Sequence, residues 1–441
     1  MVGSTISLAD GRLLTVVKEI GEGGQGVVYK VNLQTDNGVC ERALKWYFVK
    51  KIDDPRKFYK RLEENIRIGA PSSAFVWPEV LTKWNEGEPF GYIMPLFPEG
   101  YEGFSKYLLA KVNFPSLSVM IDAAINIVTA FQELHNKGYN YQDLNDGNFA
   151  IRPSDGDVLI CDNDNVVAYG NYSDILGKLR YMAPEIVRGE SRPDKYTDRF
   201  SLAVVLFMLL FGGHPLEGKK TNVPALTAQF DKIFFGTEPL FVFDDNPNNR
   251  PVNGLHKNVI RCWQCYPTFI REAFKKAFSQ ESLMQRKGRL LEQEWIALLM
   301  RLKSSISKCP KCGYEIFLES SESVECSNKD CRQMISPVGY IDFRKLRSTV
   351  KLTVPIFRSV NIYSFYMSEY SHDYHTIAAT ILFKPGKCGI KNLSNYSWTV
   401  HTPSGNTYVV KRGDVAVLGS GVKLDFGNGN IAEVINNKLV R

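Results

Sequence analysis

Short apolar–polar alternations dominate the first part of the chain, and helical periodicity dominates the part that follows. Residues 12–95 contain short segments in which apolar and polar residues alternate, and one helical stretch near Phe58 to Ile68 interrupts them. Apolar residues recur at helical spacing from Ser118 to Leu134, and again in Asp198 to Phe211, Phe269 to Phe278 and Glu292 to Leu302. The pattern predicts a β-rich lobe with one helix over residues 1–95 and a mainly helical lobe over residues 96–302.

The pattern changes again after the second lobe. Residues 303–308 are polar, and we interpret them as a linker into a compact group of cysteines, which predicts a small module over residues 303–340. From about Leu352 the composition is typical of strands separated by glycine and proline turns. Residues 350–441 are therefore predicted to form an all-β sandwich.

Length, charge and cysteine content narrow the class of protein. The chain has 441 residues and a net charge of +7, and no basic run interleaves with aromatic residues as in a nucleic-acid-binding groove. The longest apolar run, Leu202 to Phe211, is far shorter than the roughly 20 residues that span a bilayer. Nine cysteines without a signal-peptide pattern favour a reducing compartment. We expect a cytoplasmic protein that binds neither nucleic acid nor membrane.

A glycine-rich segment near the N-terminus is the first candidate for ligand binding. Residues 21–28 fit G-x-G-x-x-G-x-V, in which backbone N–H groups can close over phosphates, and a β-branched and aromatic run follows instead of a helix. Lys45 comes 19 residues after the last glycine, where a strand lysine would place its ammonium over the α- and β-phosphates. The residues predicted here to bind nucleotide are Gly21, Glu22, Gly23, Gly24, Gln25, Gly26, Val28, Ala43 and Lys45.

Lys45 needs a carboxylate to hold it in place. The predicted helix offers Glu63 and Glu64. The apolar face of this helix is formed by Leu62, Ile66 and Ile68. We favour Glu64, because it lies beside the edge of that face, and Glu63 remains the alternative.

Three more residues with side-chain oxygen atoms are candidates for catalysis and for binding a metal ion. Asp143 and Asn148 have the D-L-x-x-x-N spacing of a catalytic loop, directly after a predicted helix. Asp143 would accept or orient a substrate hydroxyl proton, and Asn148 would bind Mg²⁺ through its amide oxygen. Asp162 ends a short apolar strand 14 residues later, the position for a carboxylate that holds Mg²⁺ against the phosphates.

Together these elements resemble the eukaryotic-type protein kinase family over residues 12–302. The resemblance implies an α+β, bilobal protein-kinase fold that uses ATP with Mg²⁺ or Mn²⁺ and acts on a protein substrate. It also implies that Met94 is the gatekeeper beside the adenine and that the backbone from Pro95 to Phe97 is the hinge. Met182 to Glu185 looks like the end of the activation segment, with Arg289 placed to pair with Glu185.

The chain departs from the family pattern at three places. Gln142 stands where the family has arginine, Asn145 where it has lysine, and Asn163-Asp164 where it has phenylalanine and glycine. Because Lys45, Asp143, Asn148 and Asp162 all remain, we favour an active serine/threonine-type kinase. The alternative is an ATP-binding pseudokinase scaffold whose C-terminal modules bind protein partners.

Four cysteines form two knuckles that predict a structural zinc site. Cys309 and Cys312 make one pair, and Cys326 and Cys331 make the other. Four thiolates fill a tetrahedral Zn²⁺ shell and leave no open position for catalysis. The sequence therefore predicts a zinc-knuckle, zinc-ribbon-like module.

The predicted sandwich is similar to a forkhead-associated domain, although it lacks the residues with which such domains hold phosphothreonine. Kinase lobes, zinc knuckles and sandwich in this order resemble the bacterial kinases of the tellurium-resistance-type phosphorylation triad. That resemblance implies two partners, a von Willebrand factor A domain protein and a PP2C-type phosphatase.

Overall fold

A computed structural model describes residues 1–171, 176–225, 227–319, 322–345, 348, 350–427 and 429–436. Its first part is an antiparallel sheet of six strands in the order β1-β2-β3-β4-β6-β5. The strands are β1 (Thr5–Ser7), β2 (Leu13–Glu22), β3 (Gly26–Thr35), β4 (Gly38–Tyr47), β5 (Val80–Leu81) and β6 (Gly91–Met94). One α-helix, α1 (Pro55–Ile68), interrupts them, as the sequence pattern predicts.

Helix α1 begins and ends where local chemistry favours it. Asp54 caps its first turn by accepting a 2.9 Å hydrogen bond from the N–H of Lys57, and Pro55 occupies the first helical position. Gly69 ends the helix with a positive φ of 83°, a conformation that costs glycine little. The buried residues of α1 are Phe58, Leu62 and Asn65, so this face packs toward the sheet.

The second part is mainly helical. Its helices are α2 (Phe104–Leu108), α3 (Leu117–Asn136), α4 (Pro184–Val187), α5 (Lys195–Phe211), α6 (Ala228–Lys232), α7 (Lys257–Cys265), α8 (Thr268–Ala277), α9 (Gln280–Gln285) and α10 (Glu292–Lys303). Short strands lie among them, namely β7 (Glu102–Gly103), β8 (Tyr139–Asn140), β9 (Phe149–Ile151), β10 (Val158–Ile160) and β11 (Val167–Ala168). These short strands carry the loops that bear the predicted catalytic residues.

Two apolar helices, α3 and α5, form the centre of this part. The apolar run Leu202 to Phe211 lies in α5 and is almost entirely buried, as predicted. Helix α3 is long and apolar enough to cross a bilayer by length and composition, but 56% of its most apolar window is buried inside the protein. Its surroundings are therefore those of a core helix.

The cysteine region consists of two short antiparallel hairpins. The first joins β12 (Ile306–Lys308) to β13 (Glu315–Phe317), and the second joins β14 (Val324–Glu325) to β15 (Met334–Ile335). Each hairpin carries one of the two cysteine pairs at its turn.

The C-terminal part forms two antiparallel sheets. The six-stranded sheet has the order β17-β16-β25-β24-β21-β22, and the four-stranded sheet has the order β18-β19-β20-β23. The strands are β16 (Tyr340–Arg344), β17 (Leu352–Pro355), β18 (Asn361–Tyr363), β19 (Ile377–Lys384), β20 (Lys387–Asn392), β21 (Trp398–His401), β22 (Thr407–Val410), β23 (Val415–Val417), β24 (Lys423–Asp425) and β25 (Ile431–Ile435). This unit starts earlier than the predicted residue 350, because β16 pairs with both β17 and β25.

The predicted polar linker at residues 303–308 is wrong. Lys303, Ser304, Ser305 and Ser307 are all buried. Lys303 donates to Asp122 at 2.6 Å and to the carbonyl of Tyr374 at 3.0 Å, so its charge is paired inside the protein. One continuous apolar core runs from the helical part through the cysteine hairpins into the two sheets. The side chains of Lys303, Ser305 and Ser307 thus find their hydrogen-bond partners inside the protein instead of in solvent.

Candidate active site

The glycine-rich segment forms the turn between β2 and β3. The N–H of Gly23 donates to the carbonyl of Gly26 at 2.9 Å, which closes the turn. Gly26 itself lies against β4, where an added Cβ would stand 2.2 Å from the carbonyl oxygen of Trp46. Gly21 and Gly24 face open space, and Val28 lies opposite Lys45 in the sheet. Glycine at positions 21 and 24 therefore keeps side chains out of the space beside the turn.

Lys45 is buried in β4 and contacts two carboxylates. Its Nζ lies 3.1 Å from Oδ1 of Asp162 and 2.7 Å from Oδ2 of Asp164. Burial alone would lower the pKa of Lys45, but the charge of Asp164, together with Tyr92, Asp162 and the hydrogen bond to Asp164, raises the pKa well above its ordinary value. The ammonium is therefore charged at neutral pH.

The predicted pairing of Lys45 with Glu64 is wrong in this structure. Glu64 is exposed and pairs with Arg67, whose Nη2 lies 2.5 Å from its Oε1, and the alternative Glu63 is exposed as well. The reason is the rotation of α1, which directs Leu62 and Asn65 inward and the two acids outward.

The residues predicted beside the adenine lie where β6 leaves the sheet. Ala43 of β4 pairs with Met94 of β6; Ala43 is buried and Met94 half-buried. Pro95 and Phe97 follow directly and are exposed. These residues border the same face of the sheet as Lys45, so an adenine ring could lie between them and the glycine turn.

The catalytic-loop residues form a tight hydrogen-bonded unit. Asn145 donates through Nδ2 to the carbonyl and to Oδ1 of Asp143, both at 3.0 Å, and Asn148 donates to the same carbonyl at 2.8 Å. Burial raises the pKa of Asp143 to about 6; the hydrogen bond from Asn145 opposes this rise, and the charge of Asp162 adds to it. A carboxyl group with this pKa can change its protonation state near neutral pH.

The turn after β10 brings Asp162 to the same cleft. Asp162 has a left-handed backbone conformation, with φ 52° and ψ 47°, which is uncommon for a residue other than glycine. Asn163 is fully buried and donates to the carbonyls of Val76 and Ile160 at 2.8 and 2.9 Å. An amide bound to two carbonyls thus takes the interior position that the family pattern gives to phenylalanine.

A buried ionic cluster supports the catalytic loop from below. Asp198 accepts hydrogen bonds from the N–H groups of Tyr141 and Gln142, at 2.7 and 3.1 Å. His135 bridges Asp198 and Glu292, at 3.1 and 2.9 Å. Gln142 has a φ of 70°, and this strained conformation is held by the hydrogen bond to Asp198.

We expect His135 to contribute pH-dependent stability. Burial would lower the pKa of His135, but its bonds to Asp198 and Glu292 raise it to about 9. The contribution, about 3 kcal/mol, is therefore complete below pH 6.5 and is lost as the pH rises toward 9. Urea unfolding at both pH values should show this loss in the wild type and in the exposed-site control His401→Gln, but not in His135→Gln. Equal pH dependence in all three proteins would contradict the assignment.

Comparison with known proteins agrees with this geometry. The family model described as the protein kinase domain matches residues 14–235, just over half of the chain. The chain belongs to the protein kinase family.

Several curated kinases are similar to parts of this kinase. Protein kinase YegI of Escherichia coli K12 is 24% identical over 318 residues, which cover 68% of this chain and 46% of YegI. The serine/threonine-protein kinase AtPK2/AtPK19 of Arabidopsis thaliana is 34% identical over 217 residues, 47% of this chain and 43% of the relative. The serine/threonine-protein kinase PknD of Chlamydia pneumoniae is 27% identical over 249 residues, which cover 48% of this chain and 26% of PknD. The chain thus spans about half the length, or less, of these relatives.

The predicted ion pair at the end of the activation segment is confirmed. Arg289 binds Glu185 through two parallel hydrogen bonds of 2.8 Å, and both side chains are buried. Arg286 adds a third contact, with its Nε 3.3 Å from Oε1 of Glu185. These contacts tie the segment to the helical part of the kinase.

The four cysteines come together as a possible metal site. The Sγ atoms of Cys309 and Cys331 are 3.7 Å apart, those of Cys312 and Cys326 are 3.6 Å apart, and all four lie within 4.8 Å of one another. Tetrahedral Zn²⁺ with Zn–S bonds of about 2.3 Å requires sulfurs about 3.8 Å apart. The donor set therefore fits zinc, and each close pair joins one hairpin to the other.

Sequence reasoning missed the second acid at Lys45. Asp164 is fully buried and accepts a hydrogen bond from the hydroxyl of Tyr47 in addition to its contact with Lys45. The signal was present, because an acid stands where the family pattern has glycine.

Proposed function

We propose that this kinase transfers the γ-phosphoryl group of ATP to a serine or threonine hydroxyl of a protein. The observation that carries the proposal is the meeting of Lys45, Asp143, Asn148 and Asp162 at one cleft beneath the glycine turn. Lys45 contacts Asp162, and Asn148 contacts Asp143. The N–H of Cys161, directly before Asp162, donates to the carbonyl of Asn148 at 2.9 Å, so the two pairs lie side by side. Phosphoryl transfer depends chiefly on such positioning and on charge stabilisation.

The proposed division of roles follows the chemistry of each side chain. Lys45 and the backbone N–H groups of the glycine turn bind the phosphates. Asp162 and Asn148 offer the oxygen ligands that Mg²⁺ or Mn²⁺ prefers. When bound, the ion neutralises charge on the β- and γ-phosphates. The half-exposed carboxylate of Asp162 can reach it, because only one of its oxygens contacts Lys45.

Asp143 is the proposed proton acceptor. Its carboxylate orients the substrate hydroxyl, whose oxygen bonds to the γ-phosphorus as the bond to the leaving ADP oxygen breaks. Asn145 donates a 3.0 Å hydrogen bond to Oδ1 of Asp143. This contact fixes the orientation of the carboxylate and leaves Oδ2 for the substrate hydroxyl. A pKa of about 6 keeps the group mostly ionised at neutral pH.

Lys178 is a candidate for the cation that Asn145 does not supply. It lies on the activation segment, 2.5 Å from Asp146 in the catalytic loop, and the preceding Gly177 packs against Gln142 and Asp143. We expect Lys178→Met to lower the transfer rate about tenfold, because one positive charge is removed beside the reacting phosphoryl group.

The control for Lys178 is Lys275→Met, which removes a lysine paired with Glu272 at 3.1 Å on helix α8. Its transfer rate should equal that of the wild type. A wild-type rate for Lys178→Met, or an equal loss in both variants, would contradict a role for Lys178 near the phosphates.

One assay separates catalysis from the pseudokinase alternative. The purified chain is incubated with Mg²⁺ and γ-labelled ATP, with casein as a generic acceptor, beside Asp143→Ala. Label on protein in the wild type and its loss in the variant support the kinase reaction. Equal or absent label in both favours a scaffold that only binds ATP.

We further propose that the C-terminal units serve structure and docking. The cysteine cluster would hold one Zn²⁺, which needs no open position for this role. The two-sheet unit, likened to a degenerate forkhead-associated domain, would bind partners of the phosphorylation triad, namely a von Willebrand factor A domain protein and a PP2C-type phosphatase. A cytoplasmic site of action is part of the proposal, because four of the nine cysteines form the possible metal site instead of disulfides.

A further inference from the structure

The carboxylate of Asp164 lies at the centre of a buried polar cluster. One oxygen is 2.7 Å from Nζ of Lys45 and also accepts the hydroxyl hydrogen bond of Tyr47. Asp164 is fully buried, whereas half of the Asp162 side chain is exposed. Of the two acids that touch Lys45, Asp164 is therefore the one that solvent and incoming ligands cannot reach.

The residues of helix α1 that are not exposed include one cation and no acid. Arg61 is half-buried on α1, one turn before the inward-facing Asn65. Burial would raise the pKa of Asp164, but Lys45, the hydroxyl of Tyr47 and, more weakly, Arg61 lower it below the ordinary value. The two groups in direct contact with this carboxylate, the ammonium of Lys45 and the hydroxyl of Tyr47, both donate hydrogen bonds to it.

In this chain the acid that contacts the lysine comes from a different element than in the family pattern. In that pattern the helix supplies an acid and the turn after the metal-binding aspartate supplies glycine. In this chain the turn supplies the acid, the helix supplies arginine, and Glu64 is turned outward to Arg67. Because Lys45 lies 2.7 Å from Asp164, neither of these two buried charges is left without a partner.

We propose that Asp164, and not an acid of helix α1, is the positioning residue that holds Lys45 toward the phosphates. The inference rests on the proposed kinase function. Asp162 is free to leave Lys45 and bind the metal ion when Mg-ATP enters, and Asp164 retains the lysine. Because Asp164 belongs to the turn after β10, Lys45 keeps its carboxylate whatever the position of α1.

The test compares Asp164→Asn with Glu64→Gln in the full chain. Affinity for Mg²⁺ and the non-hydrolysable analogue AMP-PNP is measured by calorimetry, and transfer of label to casein by scintillation counting. Asp164→Asn should weaken binding about tenfold and lower the transfer rate about a hundredfold, since a charged hydrogen bond to Lys45 is lost. Glu64→Gln should change neither. A larger loss of affinity and rate in Glu64→Gln than in Asp164→Asn would overturn the proposal.

A double-mutant cycle distinguishes positioning from a general loss of structure. If Asp164 acts through Lys45, Asp164→Asn has no further effect on AMP-PNP affinity in a Lys45→Met background. An equal loss in both backgrounds means that the substitution disturbs the cleft as a whole, which overturns the proposal. Thermal unfolding of each variant shows whether it is folded.

The two proposals fail separately. A wild type that binds Mg-AMP-PNP but transfers no label contradicts the kinase reaction, while the binding comparison and the cycle still decide the role of Asp164. A wild type that transfers label, with Asp164→Asn equal to it in rate and affinity, contradicts only the role of Asp164.

Discussion

Replacing Asp143 by asparagine is expected to lower the rate of phosphoryl transfer about a thousandfold, because the acceptor of the hydroxyl proton is lost. Affinity for Mg-ATP should remain nearly unchanged, since asparagine has the same shape and Asn145 and Asn148 still bind the Asp143 carbonyl. The matched control is Asp155→Asn, which removes an exposed acid paired with Arg152 in the same lobe. It should retain the wild-type rate.

The same carboxylate should determine the acid limb of the pH–rate profile. Burial raises the pKa of Asp143 to about 6, so below that pH the group carries a proton and cannot accept another. The kcat/KM for ATP, which reports the free enzyme, should therefore fall about tenfold for each pH unit below the pKa. A flat profile across this range, or near-wild-type turnover by Asp143→Asn, would contradict the assignment.

The second large effect is expected from Cys309→Ser. The serine hydroxyl is a poor zinc ligand, so the variant should lose the metal, and its unfolding free energy should fall by several kcal/mol. The loss extends beyond the hairpins, because Cys309 and Cys326 are buried in the core that continues into the helical lobe and the sheets. Elemental analysis should find one zinc per wild-type chain, and denaturant unfolding measures the stability.

Cys40→Ser is the control for this substitution. Cys40 is a half-buried thiol of β4, outside the cluster, and its replacement should leave the zinc content at one per chain. A wild-type protein that is folded and equally stable with and without a chelator would show that the four sulfurs do not hold a structural metal.

Motif spacing was sufficient to predict the geometry of groups that lie on one turn or one hairpin. The glycine turn, Lys45 and the Asp143–Asn148 pair each lie on one turn or strand, so local pattern fixes their geometry. The observed register of Val28 opposite Lys45 follows directly from the hairpin between β3 and β4. The contacts of Lys45 with Asp162 and of Asn148 with Asp143 agree with that spacing.

The partner of Lys45 could not be derived in the same way. Adjacent residues on a helix differ in direction by about 100°, so a choice between Glu63 and Glu64 depends on a rotation that the packing of Leu62 and Asn65 decides. The competing acid, Asp164, is 119 residues from Lys45 in sequence. Its contact with Lys45 depends on how the turn after β10 packs against the sheet, which local sequence does not determine.

Ionic contacts between residues far apart in the chain could likewise not be predicted from the sequence. His135 and Glu292 are 157 positions apart and meet below the catalytic loop. Lys303 finds Asp122 across 181 positions, which turns an apparently solvated linker into a buried junction. In both cases pairing inside the protein offsets the cost of burying the charged side chains.

A crystal structure with Mg²⁺ and AMP-PNP tests the central claim most directly. The account predicts the metal bound to Asp162 and Asn148, the phosphates within hydrogen-bond distance of Lys45, and the γ-phosphate facing Asp143. Asp164 should still contact Lys45. A nucleotide bound elsewhere, or a metal held by neither Asp162 nor Asn148, would contradict the account.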